Sequence, residues 1–423
     1  MGYDVKILQT VFDIMDYGGI VNHVELLAKG FERLGHTSKM TILRNSTQPP
    51  KLTKLETHVA GTYGSRTANQ VNTITGWYGA QSYSYGDKTQ LQNWRRFAEK
   101  FDLVIHQLPV PKADAEGWWR KLYDIDVPQI AIAHDAHFRH AYPHMIEIAD
   151  KLVGVSVTNP AGYHALEWLP APRCFIGAPH VPRKWHQQKE WRDRPKRFVS
   201  AHVWKAWKHM DLVLRALPHI EKGIDNFIGG DGIEARYMRS KDKCKPKYKG
   251  LWRSAEKAGM NYAGLVSPRA IMQEYTHSRA MVDMSFSKKF AQLGNHFNRS
   301  TIEAYNGGCV PLVVKENMRD DTGIFKRNVH YLAIPYTVAC KPKMLANAIE
   351  DAVMNVHAND AEYIVDNGRR LLKKHFDYRH SADEFIRLAK GKKNIGIYSK
   401  LERGKLNREI KERRDALLRS VEK

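Results

Sequence analysis

The sequence predicts an α/β protein made of two Rossmann-like domains that face each other across a cleft, followed by C-terminal helices. The chain has 423 residues, which is too many for one compact core. Both halves alternate short apolar strands with segments of helical period, as parallel sheets covered by helices do. We therefore expect an N-terminal domain over 1–182, a second domain over 183–376, and helices with a basic tail over 377–423.

The first half begins with a strand, a glycine turn and a helix. Apolar runs predict a buried strand over 5–11 and a helix over 21–34. Gly18 and Gly19 lie in the turn between them, where the free N–H groups of a helix N-terminus favour an anion. Because paired glycines also occur in ordinary turns of this kind, the pattern alone does not establish a phosphate site.

Residues 45–95 differ in composition, being rich in Thr, Ser, Asn, Gln, Gly and Tyr. A long insertion of this kind is usually functional or mobile. Aromatic rings interleaved with arginine suit base stacking and contact with a nucleic-acid backbone. The candidate DNA-binding residues are Arg66, Trp77, Tyr78, Tyr83 and Tyr85. The alternative is a β-hairpin that exposes its tyrosines.

A buried strand predicted over 128–133 ends in His134-Asp135-Ala136-His137. Open α/β sheets bind ligands at the carboxyl ends of their strands, so His134 and Asp135 are candidate catalytic residues. They could orient a hydroxyl group or contact a sugar. Two alternatives are a metal site, which needs further ligands, and a strand-end turn without a catalytic role.

The second half repeats the alternation after a predicted linker over 183–197. Lys205 and Lys208 follow its first strand, where two ammonium groups are well placed to neutralise a diphosphate. The alternative is a pair of solvated lysines at a helix start.

The segment 300–314 indicates a short helix, two glycines and a small buried strand. Gly307 and Gly308 can adopt positive φ and stop the helix, which holds Glu303 near its start. In the loop before this helix, the backbone of Gly294 and Asn295 could bind phosphate oxygens, and Arg299 adds positive charge. An ordinary helix–strand junction with an exposed glutamate is the alternative.

The chain is strongly basic, with 67 Lys and Arg against 45 Asp and Glu and a net charge of +22. Such an excess attracts polyanions, first among them nucleic acid, with a membrane surface as the alternative. The hydrophobic fraction of 43% excludes global disorder.

Four cysteines, none at C-x-x-C spacing, predict small buried side chains in a reducing compartment: Cys174, Cys244, Cys309 and Cys340. No apolar run approaches the roughly 20 residues that span a bilayer. The first eight residues lack a signal peptide. We therefore expect a cytoplasmic protein without a membrane partner.

Taken in order along the chain, these motifs resemble the retaining glycosyltransferases of GT-B fold. The closest resemblance is to the phage DNA α-glucosyltransferases that modify hydroxymethylated bases. It rests on 134–137, on 201–209 with its Trp-Lys pair, and on 302–311. Two positions depart from the family pattern: Asn295 stands where many relatives have a first glutamate, and His202 stands near the place of an arginine.

The resemblance implies a UDP-sugar donor and transfer, with retention, to 5-hydroxymethylated pyrimidines such as 5-hydroxymethylcytosine in double-stranded DNA. It implies that Glu303 binds the ribose hydroxyls and that Lys208, with Lys205 or His202, stabilises the diphosphate. The glycine loops 18–19 and 294–295 would close on that diphosphate, with Arg299 beside them. His134 and Asp135 would lie near the donor sugar or the incoming hydroxyl.

Two other functions remain open. One is a cytoplasmic glycosyltransferase of cell-envelope or polysaccharide synthesis that uses the same donor. The other is a non-enzymatic basic DNA-binding protein. No D-x-D motif stands in a convincing place, so no metal ligand is assigned and the need for a divalent metal stays open.

Overall fold

The computed structural model describes residues 4–12, 19–44, 81–84, 87–107, 118–134, 143–158, 166, 169–180, 189–202, 204–240, 242–266, 268–287, 298–318, 324–392 and 395–397. The chain divides into two compact units, one formed by 1–181 with 373–423 and the other by 182–372.

The strands are β1 (Lys6–Phe12), β2 (Thr37–Arg44), β3 (Gln81–Ser84), β4 (Leu103–His106), β5 (Gln129–Ala133), β6 (Gly154–Val157), β7 (Arg173–Phe175), β8 (Arg197–Ala201), β9 (Asp225–Gly229), β10 (Tyr262–Gly264), β11 (Ala280–Asp283), β12 (Val310–Val314) and β13 (Leu332–Ile334). The α-helices are α1 (Gly19–Arg33), α2 (Lys88–Ala98), α3 (Met210–Ala216), α4 (Ile233–Arg239), α5 (Leu251–Lys257), α6 (Pro268–His277), α7 (Arg299–Gly307), α8 (Tyr336–Ala339), α9 (Pro342–Glu350), α10 (Ala358–His375) and α11 (Tyr378–Ala389).

The first unit contains a parallel sheet of seven strands in the order β3-β2-β1-β4-β5-β6-β7. The chain builds outward from β1 through β2 to β3 and then returns to the other side of β1 with β4. Between β1 and β4 the strand order therefore reverses, and such a point is where open α/β sheets bind ligands.

The helix α11 completes the core of this unit although it lies near the C-terminal end of the sequence. Its Phe385 and Ile386 are buried in one cluster with Leu27 and Phe31 of α1. Gly30 lies so close to α11 that an added Cβ would stand 2.4 Å from the carbonyl oxygen of Tyr378. Glycine at this position therefore allows the two helices to approach.

The described part of 45–95 contradicts the alternative of a β-hairpin. β3 pairs in parallel with β2 as the edge strand of the sheet, whereas a hairpin would make it antiparallel. The helix α2 follows, capped by the Asp87 side chain, which accepts a bond of 2.9 Å from the Gln90 N–H. Leu91 and Trp94, three residues apart, bury its inner face.

The second unit contains a parallel sheet of six strands in the order β10-β9-β8-β11-β12-β13. The chain again starts in the middle, with β8, and reverses direction between β8 and β11. Its main core joins Phe198 and Val282 of these strands to Val213 of α3 and Ile349 of α9. The α/β architecture predicted from the sequence is confirmed in both units.

The predicted linker over 183–197 is wrong for its described part, 189–197, which packs within the second unit. Trp191 is buried and donates a bond of 3.0 Å from Nε1 to the carbonyl of Arg279. The buried guanidinium of Arg194 donates to the carbonyls of Tyr275 and Ser278 at 3.2 and 3.0 Å. An aromatic ring and a charge that find partners inside a unit do not behave as a solvated linker.

Two of the four cysteines meet the expectation of burial, namely Cys174 and Cys309. Cys244 is half-buried, and Cys340 is exposed, so the expectation is wrong for Cys340. Among the helices that the structure describes, none combines the length and the apolar character needed to cross a bilayer.

Candidate functional site

In the second unit, charged and polar side chains meet at the carboxyl ends of β8 and β11. The loop after β8 bears His202 and Lys208, β11 ends at Asp283, and the N-cap of α7 is Asn298. Because β8 and β11 are neighbours on either side of the reversal in strand order, their ends flank the crevice typical of ligand sites in open α/β sheets.

The carboxylate of Asp283 lies at the centre of this cluster and is buried. Its Oδ1 accepts a bond of 3.0 Å from the Ser285 N–H and a second, short bond from the Ser285 hydroxyl. Its Oδ2 accepts from the side-chain amide of Asn298. Burial alone would raise the pKa of Asp283, but His202, Lys208 and these hydrogen bonds outweigh it and hold that pKa at about 2.

Lys208 is the buried cation of the cluster, with 9% of its surface exposed. Its Nζ donates to Oδ1 of Asn298 and lies 4.0 Å from the centre of the Trp207 ring. Burial lowers the pKa of Lys208 to about 8, with Asp283 opposing that shift and Lys205 adding to it. The ammonium is therefore charged at neutral pH and close to its titration range.

The loop that presents Lys208 is held by close backbone contacts with the glycines after β9. A Cβ on Gly230 would stand 1.8 Å from the carbonyl oxygen of His202, and one on Gly232 would stand 2.5 Å from that of Trp204. The loop ends at His209, which has a left-handed φ of 48°. Such a backbone conformation in a residue other than glycine is uncommon and is found more often at functional sites.

His202 faces protein groups, since 2% of its side chain is exposed. Its Nε2 lies 3.4 Å from the carbonyl of Val282 and 3.7 Å from Asp283, and its Nδ1 lies 3.4 Å from the Ser300 hydroxyl. Burial lowers the pKa of His202, against the influence of Asp283. His202 therefore lies against Asp283 and the surrounding protein groups. Lys205, on the same loop, is exposed.

The helix α7 carries the predicted Glu303 and Arg299. Arg299 Nε donates to Oε1 of Glu303 at 3.1 Å, and burial raises the pKa of Glu303 although Arg299 opposes the shift. Glu303 lies five residues after Asn298, which is an axial distance of about 7.5 Å on an α-helix. Gly308 has a φ of 80° and caps the helix as predicted, whereas Gly307 is the last helical residue and does not have the positive φ expected of it.

The first unit places His134 at the end of β5, beside the end of β4. The amide of Gln107 donates to Oε1 of Gln9 at 2.7 Å, and Gln9 in turn donates to the Ser38 hydroxyl and the Val24 carbonyl. This orientation leaves the Gln107 oxygen as the acceptor, 3.1 Å from Nε2 of His134.

His134 is consequently a neutral imidazole that carries its proton on Nε2. Burial lowers the pKa of His134 to about 3, and the Gln107 oxygen can accept a hydrogen bond only from an N–H group. The ring also meets His23 of α1 edge to face, with centroids 4.7 Å apart. The Nδ1 lone pair of His134 is thereby fixed as an acceptor at the carboxyl end of the sheet.

The remaining predicted residues divide into two groups. Gly19 is the first residue of α1, and Tyr83 lies half-buried on β3 with its ring 6.0 Å from that of Phe97. The others lie outside the described residues, and their roles stay predictions: Gly18, Arg66, Trp77, Tyr78, Tyr85, Asp135, Gly294 and Asn295. In the described ranges, no group of three or more acidic, histidine or cysteine side chains could hold a metal ion.

Sequence reasoning missed Asp283, Ser285, Asn298 and Gln107. Asp283 closes the apolar strand β11 and Gln107 directly follows β4, so both show the signal that identified His134, a polar residue at a strand end. Asn298 has the residue type preferred at a helix N-cap. Only the fold shows that Asn298 bonds to Lys208, that Gln107 bonds to His134, and that Asp283, bonded by Ser285, lies 3.7 Å from His202.

No family model matches the chain, and no curated protein matches it in sequence. Solved structures do match. The HepE protein of Anabaena, in complex with UDP and glucose, is 13% identical over 90% of this chain and 98% of its own, with a TM-score of 0.61. The pneumococcal O-GlcNAc transferase GtfA, in complex with UDP and GlcNAc, is 11% identical over 92% of this chain and 99% of its own, with a TM-score of 0.62.

A third similar structure is the lipopolysaccharide outer core galactosyltransferase WaaB in its apo form, 11% identical over 90% of this chain and 98% of its own, with a TM-score of 0.56. Together with the two parallel sheets, these matches show that the chain has the two-domain α/β GT-B fold.

Proposed function

We propose that this chain is a glycosyltransferase that moves a sugar from a UDP-sugar onto 5-hydroxymethylated pyrimidines of double-stranded DNA, with retention of anomeric configuration. The observation that supports it most is the buried Lys208 at the reversal of strand order, next to the start of the helix that bears Glu303. A buried cation flanked by a helix N-terminus suits a diphosphate.

The donor would lie along this edge of the second unit. Lys208 would neutralise the phosphates. Its ammonium, which donates to Asn298 in the structure, would donate to the phosphate oxygens instead of Asn298 or in addition to it. Glu303 would accept hydrogen bonds from the ribose hydroxyls, with Arg299 holding the carboxylate in place. UDP as the nucleotide is supported by the HepE and GtfA structures, which were solved with UDP bound.

In the transfer step, the hydroxymethyl oxygen of the base attacks C1 of the sugar while the bond from C1 to the β-phosphate oxygen breaks. The electron pair of that bond remains on the phosphate oxygen, which also takes the proton of the attacking hydroxyl. Lys208 stabilises the negative charge that grows there. The Nδ1 lone pair of His134 would accept a hydrogen bond from a sugar hydroxyl or from the acceptor.

The acceptor is argued from charge. A net charge of +22 favours a polyanion through counterion release, and duplex DNA carries one negative charge per about 1.7 Å of its axis. A second candidate is an acceptor of the cell envelope, which the similarity to a lipopolysaccharide galactosyltransferase favours. In that case the positive charge of the chain would attract it to an anionic membrane surface.

The test incubates the full chain with a panel of UDP-sugars and with duplex DNA that either carries or lacks 5-hydroxymethylpyrimidines, with and without EDTA. Nucleosides released by digestion are weighed, and the anomeric configuration of the product is read by NMR. Sugar on the hydroxymethylated duplex alone supports the proposal.

Lys208→Ala and Glu303→Ala should each reduce transfer at least about 100-fold, the usual scale for a group that stabilises transition-state charge. Lys222→Ala, an exposed lysine of the same unit, is the matched control and should retain transfer. Absence of UDP binding in a thermal shift would contradict any sugar transfer and leave only a DNA-binding protein. Transfer to lipid-linked or polysaccharide acceptors instead of DNA would establish the second candidate.

A further inference from the structure

A surface of the second unit carries several exposed basic side chains that are close together in sequence. We call it the basic strip and define it as Lys243, Lys247, Lys249, Arg253 and Lys257, all of which are exposed. It follows the chain from the end of α4 to the end of α5.

The helical period of α5 places its basic side chains and its buried side chains on opposite faces. Leu251 and Ala255, four residues apart, are buried on the inner face. Arg253 and Lys257 are also four residues apart and lie on the opposite face, about 6 Å apart along the axis. Lys249 comes four residues before Arg253, immediately outside the helix. Arg253 and Lys257 therefore point away from the core, and the exposed Lys249 lies just before the helix.

Neighbouring residues hold the strip in a fixed shape. The buried Tyr248 lies between Lys247 and Lys249, and the ammonium of Lys247 stands 4.5 Å from the centre of its ring. The carbonyl of Lys247 accepts a bond of 2.5 Å from Arg215 of α3. A loop anchored by a buried ring and by a backbone bond loses little entropy on binding.

Positive charge exceeds negative charge along the strip, because 242–257 holds six Lys and Arg against Asp242 and Glu256. In the part of the chain that the structure describes, none of the five side chains forms an ion pair. Glu234 pairs with Lys245 at 3.0 Å and lies within electrostatic range of Lys247, and Glu256 accepts from Trp252 at 2.7 Å. The strip is thus a set of available cations.

We propose that the basic strip binds the phosphate backbone of double-stranded DNA, adding a contact surface on the second unit to those predicted in the first. The choice of DNA rests on the proposed function, but the binding itself requires neither a donor nor transfer. The strip would position the duplex without reading its sequence, because its cations suit phosphates and not base edges.

An anionic membrane is the competing partner, and the composition of the strip argues against it. Stable attachment to a membrane takes two signals, such as basic charge and an inserted apolar group. The exposed face of α5 presents Arg253, Ser254, Glu256 and Lys257 and offers no apolar side chain for insertion. Ile233, at the start of α4, is the exposed large apolar residue nearest in sequence.

The experiment measures binding of a fluorescent 20-base-pair duplex by anisotropy between about 50 and 300 mM salt, without a donor. The test variant combines Lys249→Gln, Arg253→Gln and Lys257→Gln. If each residue contacts one phosphate, the slope of log affinity against log salt should become shallower by about 3, and affinity should fall more than about tenfold.

The matched control combines Lys326→Gln, Lys341→Gln and Lys343→Gln, which remove the same charge. Lys341 and Lys343 follow β13, which is one edge strand of the sheet. The strip lies near the other edge strand, β10, because Trp252 of α5 packs against Tyr262 of β10. The control should keep the slope of the unmodified chain. Thermal unfolding of both variants excludes loss of the fold.

Equal slopes for the two variants would overturn the proposal. So would a loss of binding to vesicles with anionic lipid, in the strip variant alone, together with unchanged binding to DNA. A parallel titration with UDP separates this result from the proposed function. If the chain binds DNA through the strip but does not bind UDP, DNA binding by the strip is supported and transfer from a UDP-sugar is contradicted.

Discussion

Lys208 combines burial with an ammonium pKa of about 8, so its charge changes within the range in which enzymes are assayed. Below that pKa the side chain is protonated and can neutralise a phosphate; above it the charge disappears. We expect the affinity for UDP to be constant below pH 7 and to fall by about tenfold per pH unit above pH 8, as one required proton predicts.

Calorimetric titration of UDP from pH 6.5 to 9.5 measures this dependence. Lys208→Arg provides the control, because a guanidinium remains charged throughout that range. If the variant and the unmodified chain weaken in parallel above pH 8, another group controls binding.

Gln107 accepts a hydrogen bond from the Nε2–H of His134 and so favours the tautomer of that imidazole with its proton on Nε2. We expect the Gln107→Leu variant to lose the preference for this tautomer. Nitrogen NMR of the histidine ring should then show a mixture of neutral tautomers in place of one. Gln107→Glu should raise the pKa of His134 above its present value of about 3, because a carboxylate stabilises the imidazolium. Identical ring spectra in all three proteins would contradict the assignment.

The helices α1 and α11 pack against each other very closely at Gly30. A Cβ on Gly30 would overlap the carbonyl oxygen of Tyr378 and approach the Cβ of Ala382 to 2.8 Å. The Gly30→Ala variant should therefore lower the free energy of unfolding by about 1–3 kcal/mol, although alanine favours a helix more than glycine does.

Denaturant unfolding measures that change. Lys29→Ala, next to Gly30 on the same helix, removes a partly exposed ion pair with Glu25 and should cost about 0.3–0.5 kcal/mol. A stabilised Gly30→Ala variant would show that the helices separate readily.

The elements differ in how far the sequence could predict them. Buried strands such as β5 and β12 were predictable because four or five successive apolar or small residues leave few other structures. The helix α2 was missed because its buried Leu91 and Trp94 lie among polar residues. The position of His134 after β5 and of Lys208 in the loop after β8 was predictable, whereas their chemical roles stay predictions. The partners of these side chains, Gln107 and Asn298, depend on contacts across the fold and were not predictable.

At the scale of the whole molecule, the net charge of +22 should make every reaction with duplex DNA sensitive to salt. We expect transfer to hydroxymethylated duplex to fall more than about tenfold between 50 and 200 mM salt, since several phosphate contacts are lost together. Initial rates at low DNA concentration measure this effect. Transfer to a free hydroxymethylated nucleoside, which has no phosphate backbone, should change little and serves as the control.

The placement of α11 on α1 has a consequence for the order in which the polypeptide can mature on the ribosome. Residues 182–372 form a contiguous unit, whereas 1–181 must wait for α11, which is synthesised after the whole of that unit. The second unit is therefore free to fold while the first still exposes the apolar side of α1. An isolated fragment that stops at residue 181 should be insoluble, and one that joins 1–181 directly to 373–397 should be the smallest soluble form of that unit.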